Sequence, residues 1–141
     1  MLDKIKALAR KENMCVLATD AGGKPYCSLM AYVPDDACEE IYMVTHRETQ
    51  KYRNLMKNPA ISLLIDSRKN DTRSDIQALT VEGVYQKITR PAKRDLARSK
   101  LLEAHPHLSK FINDAAAEIL RIKISAFLLL NGLDESHYLE V

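Results

Sequence analysis

The residues best suited to chemistry gather in one stretch, Ile41 to Ala60. An apolar run, Ile41 to Val44, gives way to Thr45, Arg47, Thr49 and Lys51. Apolar residues then recur at helical spacing at Tyr52, Leu55 and Met56, until Asn58-Pro59 ends the helix. A second apolar run, Ile61 to Ile65, follows. The pattern predicts strand, polar loop, short helix, strand. Hydroxyls and cations therefore meet a helix start, where unpaired backbone N–H groups and the helix dipole favour an anion such as a phosphate. The same residues also suit plain capping. Thr45-His-Arg-Glu48 has the spacing of a capping box, and Thr49 offers a second cap with a shorter helix. Physical chemistry alone leaves phosphate binding and capping on equal terms.

Other constellations are weaker. The sequence has no Gly-x-Ser-x-Gly elbow, His-Glu-x-x-His pair, Walker loop or Gly-x-Gly-x-x-Gly turn. No general acid or base stands out, so no catalytic residue is assigned. His105-Pro-His107 has no partner cluster of ligands and reads as a surface turn, not a metal site. His46 either touches a ligand or is an exposed loop histidine. Cys15, Cys27 and Cys38 are odd in number and form no Cys-x-x-Cys pair, which predicts reduced thiols. Cys15 and Cys27 lie in strand-like runs and read as core fillers. The cations between Lys87 and Lys100 read as a solvated helix face. A net charge of +2 argues against a nucleic-acid partner. No apolar run approaches the roughly 20 residues of a membrane helix, and Met1-Leu-Asp-Lys-Ile-Lys has no signal-peptide core. A cytoplasmic protein with no membrane partner is expected.

The elements that must hold the central loop follow from periodicity. The length predicts one domain, residues 1–141. Leu2 to Lys11 is an amphipathic helix, with Leu2, Ile5, Leu8 and Ala9 on one face. Met14–Thr19, Tyr26–Val33 and Glu40–Val44 are short strands joined by tight turns, hence an antiparallel meander. Asp66 to Asp75 is a polar surface loop. Ile76–Ile88 is a long strand whose Gly83 suggests a bulge or a barrel bend. Thr89 caps a helix with Pro91 in its first turn, and Ala92, Leu96, Ala97, Leu101 and Leu102 line its apolar face. A short helical piece, His107 to Asn113, precedes the last long strand, Glu118–Leu130. Asn131-Gly132 then turns the chain, and the tail from His137 is a candidate final strand. The fold class is mainly β, or α+β: a six-stranded antiparallel sheet with flanking helices, closed into a small barrel that leaves no long bare edges.

The order of these pieces resembles the FMN-binding split β-barrels related to pyridoxamine 5′-phosphate oxidase. Thr45-x-x-x-Thr49-x-Lys51 before a helix is similar to that family's phosphate loop. Met14-Cys-Val-Leu-Ala-Thr with Gly23-Lys-Pro25 resembles its first hairpin. Asn58-Pro-Ala-Ile-Ser-Leu-Leu-Ile65 and Leu79-Thr-Val-Glu-Gly-Val84 resemble the strands that follow. The likeness covers Met14 to Ile88 well. It implies FMN as cofactor, with Val44 and Thr45 beside the flavin and Thr49, Gln50 and Lys51 at its phosphate. Gln50 stands where the family commonly has a second cation. Ser28 stands where its best-known members have a phosphate-binding Arg, and Arg47 is a substitute source of charge. The backbone of Ser28, Leu29 and Met30 would border the ring. Gln77 or Ala78 would hold the place of a flavin-contacting Gln. The resemblance further implies a homodimer with FMN at the subunit interface, acting on a small-molecule substrate or redox partner. A small barrel is filled by its own side chains, so a flavin must bind outside it. The chain ends Tyr138-Leu-Glu-Val141 where true oxidases carry a basic substrate-reading segment, so pyridoxamine phosphate is not the expected substrate. The expected function is an FMN-dependent oxidoreductase. The alternatives are a flavin-binding or electron-transfer protein without turnover, and a haem- or nucleotide-binding module on the same barrel.

Overall fold

A computed structural model describes residues 1–132 and 134–141. Helix α1 (Leu2–Lys11) buries Ile5, Leu8 and Ala9, the i, i+3, i+4 set of one face. Strand β1 (Met14–Asp20) turns Cys15, Leu17 and Thr19 inward. Gly22 and Gly23 take positive φ of 66° and 92° in the turn to β2 (Pro25–Ala31). Two-residue β3 (Val33–Pro34) and β4 (Glu40–His46) follow, then helix α2 (Gln50–Lys57) and β5 (Ala60–Asp66). The chain continues through β6 (Gln77–Gln86), α3 (Pro91–Ala104), α4 (Ser109–Ile112), β7 (Ala117–Asn131) and β8 (Glu135–Glu140).

All pairings are antiparallel, in the order β2-β1-β5-β6-β7-β4-β3, with β8 added to β7. The sheet is thus a path of seven strands with an eighth attached, not six, curled into a half-barrel. Strand β7 explains the split. Its residues Ala117–Lys123 pair with β4, and Ala126–Asn131 pair with β8. Between these segments the β6–β7 register shifts, so that Glu82 faces Ala126 while Gly83 faces Ile124. The expected irregularity at Gly83 is present. A Cβ there would lie 2.7 Å from the Lys123 carbonyl oxygen, which is why glycine occupies the position.

Strand alternation divides the apolar residues into two cores. The inner face of the sheet, with Leu17, Met43, Leu63, Val81 and Phe127, is closed by α1 and by Leu55 of α2. On the outer face, α3 and α4 cover only the β4 end, where Tyr42, Val44, Ala97, Leu101, Ile112 and Ile119 form the second core. Both faces of β4 are therefore buried.

Six expectations need correction. Cys27 is exposed on edge strand β2 and is not a core filler. The first three predicted strands form no meander, because β4 pairs with β7 and β3 and lies at the other end of the sheet from β2. The run Tyr26–Val33 is not one strand. Tyr32 ends the β1 ladder: its N–H still reaches the Asn13 carbonyl in register, but its carbonyl is taken by His105 Nε2 and its hydroxyl donates to the Ala9 carbonyl at 2.6 Å, and Val33–Pro34 joins β4 instead. Thr89 does not cap α3. Arg90 holds the cap position without a side-chain bond, because Pro91 fixes the first turn. The predicted apolar face of α3 is only partly used: Ala97 and Leu101 are buried, while Leu96 is half exposed. His105 is not on the surface. It is 1 % exposed, and its Nε2 lies 2.8 Å from the Tyr32 carbonyl oxygen.

Candidate functional site

The loop between β4 and α2 resolves the two capping schemes. Pairing with β7 continues through Thr45 (opposite Glu118) and His46 (opposite Ala117), so Thr45 is still strand and cannot cap a helix. Thr49 is the cap, and its Oγ1 accepts the Tyr52 N–H at 3.3 Å. The Thr49 hydroxyl donates to the His46 carbonyl at 2.9 Å. Its proton is thereby committed, so the buried Thr45 hydroxyl, 3.1 Å away, is the donor between the two. All three of Thr49's hydrogen-bonding capacities are filled by the protein. Its part in an anion site is to shape the helix start, and the donors left for an anion are the first-turn amides of Gln50 and Lys51.

The cations around this start differ in availability. Lys51 enters no ion pair among the described residues. Arg47 is bound on the β7 side, 3.3 Å from the Glu118 carboxylate and donating to the Ala115 carbonyl at 2.8 Å. Its charge is largely answered there. Gln50 donates to Asn54 at 2.7 Å and accepts from Arg53 at 3.1 Å. Arg53 also donates to the Glu48 carbonyl, folding its guanidinium back over the helix start. A second cation is thus present, three residues after Gln50. Sequence reasoning missed it because motif spacing attends to the position, whereas helix geometry brings i+3 to the same place. Asn54, fully buried, donates to Thr19 at 3.0 Å and ties α2 to the end of β1. The donor set of two free amides, Lys51 and Arg53 fits a phosphate. His46 turns the other way and stacks on Phe111, with ring centroids 4.3 Å apart and planes within 9°. Its Nε2 is shielded and has no hydrogen-bond partner among the described residues.

The remaining candidates sit elsewhere. Val44 points into the second core, so only its backbone can face a ligand. Ser28 and Met30 face inward opposite Leu17 and Cys15, whereas Leu29 is 72 % exposed on the outer face beside Val16. Gln77 donates its amide to Asn131 at 2.8 Å, and its N–H goes to Ser67 at 2.8 Å. Ala78, one residue on, faces outward opposite Asp66 and Leu130. Thr45 and Ala78 therefore lie opposite the two ends of β7, at Glu118 and Leu130. That separation is roughly 40 Å along an extended strand before its bend shortens it. Within one chain, the helix-start group and the Gln77–Ala78 group do not converge. Among the described residues no group of three His, Cys, Asp or Glu could hold a metal, and no helix is long and apolar enough to cross a membrane.

Comparison with known proteins agrees with this architecture. No match is found among curated protein sequences. A haem-binding protein from Mycobacterium smegmatis superposes with a TM-score of 0.84 at 18 % identity, over 97 % of this chain and 56 % of that one. An FAD-binding protein from Mesorhizobium loti superposes at 0.76 with 16 % identity, over 92 % and 93 % of the two chains. General Stress Protein 26 from Bacillus anthracis does so at 0.76 with 19 % identity, over 99 % and 97 %. At such identities these likenesses speak for the fold. The sequence profile of pyridoxamine 5′-phosphate oxidase matches residues 1–131, nearly the whole chain, so the protein belongs to the pyridoxamine 5′-phosphate oxidase family of split barrels.

Proposed function

We propose that the protein binds FMN between two copies of the chain and acts as an FMN-dependent oxidoreductase on a small substrate. The observation that carries this is the division of the candidate residues. The amides of Gln50 and Lys51, with the side chains of Lys51 and Arg53, make a phosphate seat at one end of β7. Leu29 and Ala78 lie on the uncovered outer face toward its other end. A mononucleotide touching both groups takes the seat from one copy and the outer face from its partner. Bound FMN supplies the electron transfer. The chain's own contribution is to hold the phosphate, to pack an apolar wall of Leu29 and its neighbours against the ring, and to exclude water there. The redox chemistry is the flavin's, and the chain's residues bind and orient it.

Titration of the purified protein with FMN, followed by flavin fluorescence and visible absorbance, tests the reading. Saturable binding at one flavin per chain is expected. Lack of saturation, together with a Soret band on adding haemin, would replace FMN by haem, the ligand in the name of the Mycobacterium smegmatis neighbour. Reduction of bound FMN by a nicotinamide donor, followed by turnover with an acceptor, distinguishes an enzyme from a flavin carrier.

A further inference from the structure

Where β6 runs into α3, a cavity of about 320 Å³ opens against β7. One side is apolar, formed by Ile88, Ala92 and the half-exposed Leu96. The other is cationic, formed by Arg90, Lys93 and Arg121. Among the described residues one carboxylate pairs with two of these three charges, and Arg90 enters no ion pair. Glu40, buried behind them, accepts from Lys93 at 2.7 Å and lies 3.8 Å from Arg121 Nε. Arg121 also donates through NH2 to the Lys87 carbonyl at 3.1 Å. Its Nε is closed to solvent on the Glu40 side, so the rest of the guanidinium is what lines the cavity beside Arg90 and Lys93. The first turn of α3 contains no acidic residue, so no carboxylate there offsets the positive field. Leu96 is an apolar side chain that the fold itself leaves uncovered.

The geometry points to a second ligand site here, for a small organic anion with a short apolar body. The anionic group meets Arg121 and Lys93, and the body lies on Ile88, Ala92 and Leu96. The site is separate from the flavin seat. Glu40 and Thr45 stand five residues apart near opposite ends of β4, roughly 16 Å along the strand, so the two sites do not share residues.

Hexanoate carries both features, hexanol only the body, and inorganic phosphate only the charge. In a titration of the full chain followed by amide NMR shifts, hexanoate should give saturable changes centred on Ile88, Ala92 and Leu96. Hexanol and phosphate should bind at least tenfold more weakly. Arg121→Gln should weaken hexanoate about tenfold. Because Arg121 also faces Glu40, Leu96→Glu serves as the second variant: Leu96 belongs to neither core, and a carboxylate at the mouth repels the anion without disturbing packing. Weakening by either variant with an intact amide spectrum supports the site. Shifts that are dispersed or do not saturate, equal binding of hexanol or phosphate, or unchanged affinity in folded Leu96→Glu overturn it. None of these readouts depends on FMN.

Discussion

Lys51 at the start of α2 and Glu40 at the head of β4 are both charged, yet their surroundings give them opposite tasks. Lys51 has no partner of its own among the described ion pairs and stands at the α2 start, so its charge is available to a ligand. Its removal should weaken FMN binding by about 1–3 kcal/mol, the range for a charge-assisted hydrogen bond. Fluorescence titration of Lys51→Ala reads this directly, and an unchanged curve counts against the phosphate seat. Thr49→Ala should act differently, through the helix, because the Thr49 hydroxyl is already full. Glu40 is committed to the protein. Burial alone would raise its pKa, but hydrogen bonds from Lys93 and Tyr42 and the charges of Lys93 and Arg121 outweigh it, holding the carboxyl below the usual range. A depressed carboxyl pKa contributes stability above the unfolded value, about 4.3 for Glu, and loses it as pH falls through the folded value. Wild type should therefore exceed Glu40→Gln in urea midpoint at neutral pH, and the gap should close in acid. A gap that is constant with pH would show that Glu40 acts by shape alone.

At the scale of elements, what a sequence reveals depends on how local the cause is. The helical spacing of Tyr52, Leu55 and Met56 is local, and α2 formed where it predicts. The cap was ambiguous because Thr45 and Thr49 both precede that spacing. The difference is made by β7, whose Glu118 and Ala117 draw Thr45 and His46 into the sheet from more than seventy residues away. Likewise β2 and β3 read as one run, since only remote partners, His105 at the Tyr32 carbonyl and Ala9 at its hydroxyl, show that the ladder ends at Tyr32. His105 looked like a surface residue because a histidine before proline carries no sign of the Tyr32 carbonyl that receives it. Gly83 is the contrary case, for a lone glycine inside a strand announces a close approach by itself. Gly83→Ala would place its Cβ against backbone, the Lys123 carbonyl oxygen, and against Ile122. Neither can retreat without opening the β6–β7 ladder. The variant should lose about 1–3 kcal/mol, as overpacked sites do, seen as a lower urea midpoint with unchanged slope. Stability equal to wild type would mean that the bend at β7 is compliant.

At the scale of the molecule, the unresolved weight lies on the outer face. Cross-strand register lines up Leu29, Val16, Leu64, Thr80, Leu128 and Tyr138 in one row across six strands. Among the described residues no helix covers this row, and Leu29, Leu64 and Tyr138 are 72 %, 38 % and 54 % exposed. Contiguous apolar surface of this kind marks an interaction site more often than a solvated face. The proposed flavin site makes a specific demand on it, since its two halves lie toward opposite ends of β7 in each chain. Two copies related by a two-fold axis, sharing this face, supply both halves twice. The protein should therefore sediment as a dimer at micromolar concentration. Leu29→Glu places a charge at the β2 end of this row, on its most exposed apolar side chain, yet costs the isolated fold little because Leu29 already faces solvent. It should shift the chain toward monomer and abolish FMN binding together, with the thermal unfolding of the monomer otherwise intact. Lys51→Ala should lower affinity while leaving the dimer whole. The pair of variants separates assembly from phosphate contact: a monomeric Leu29→Glu that still binds FMN as tightly as wild type would place the whole flavin site within one chain, and the division along β7 would then have no bearing on function.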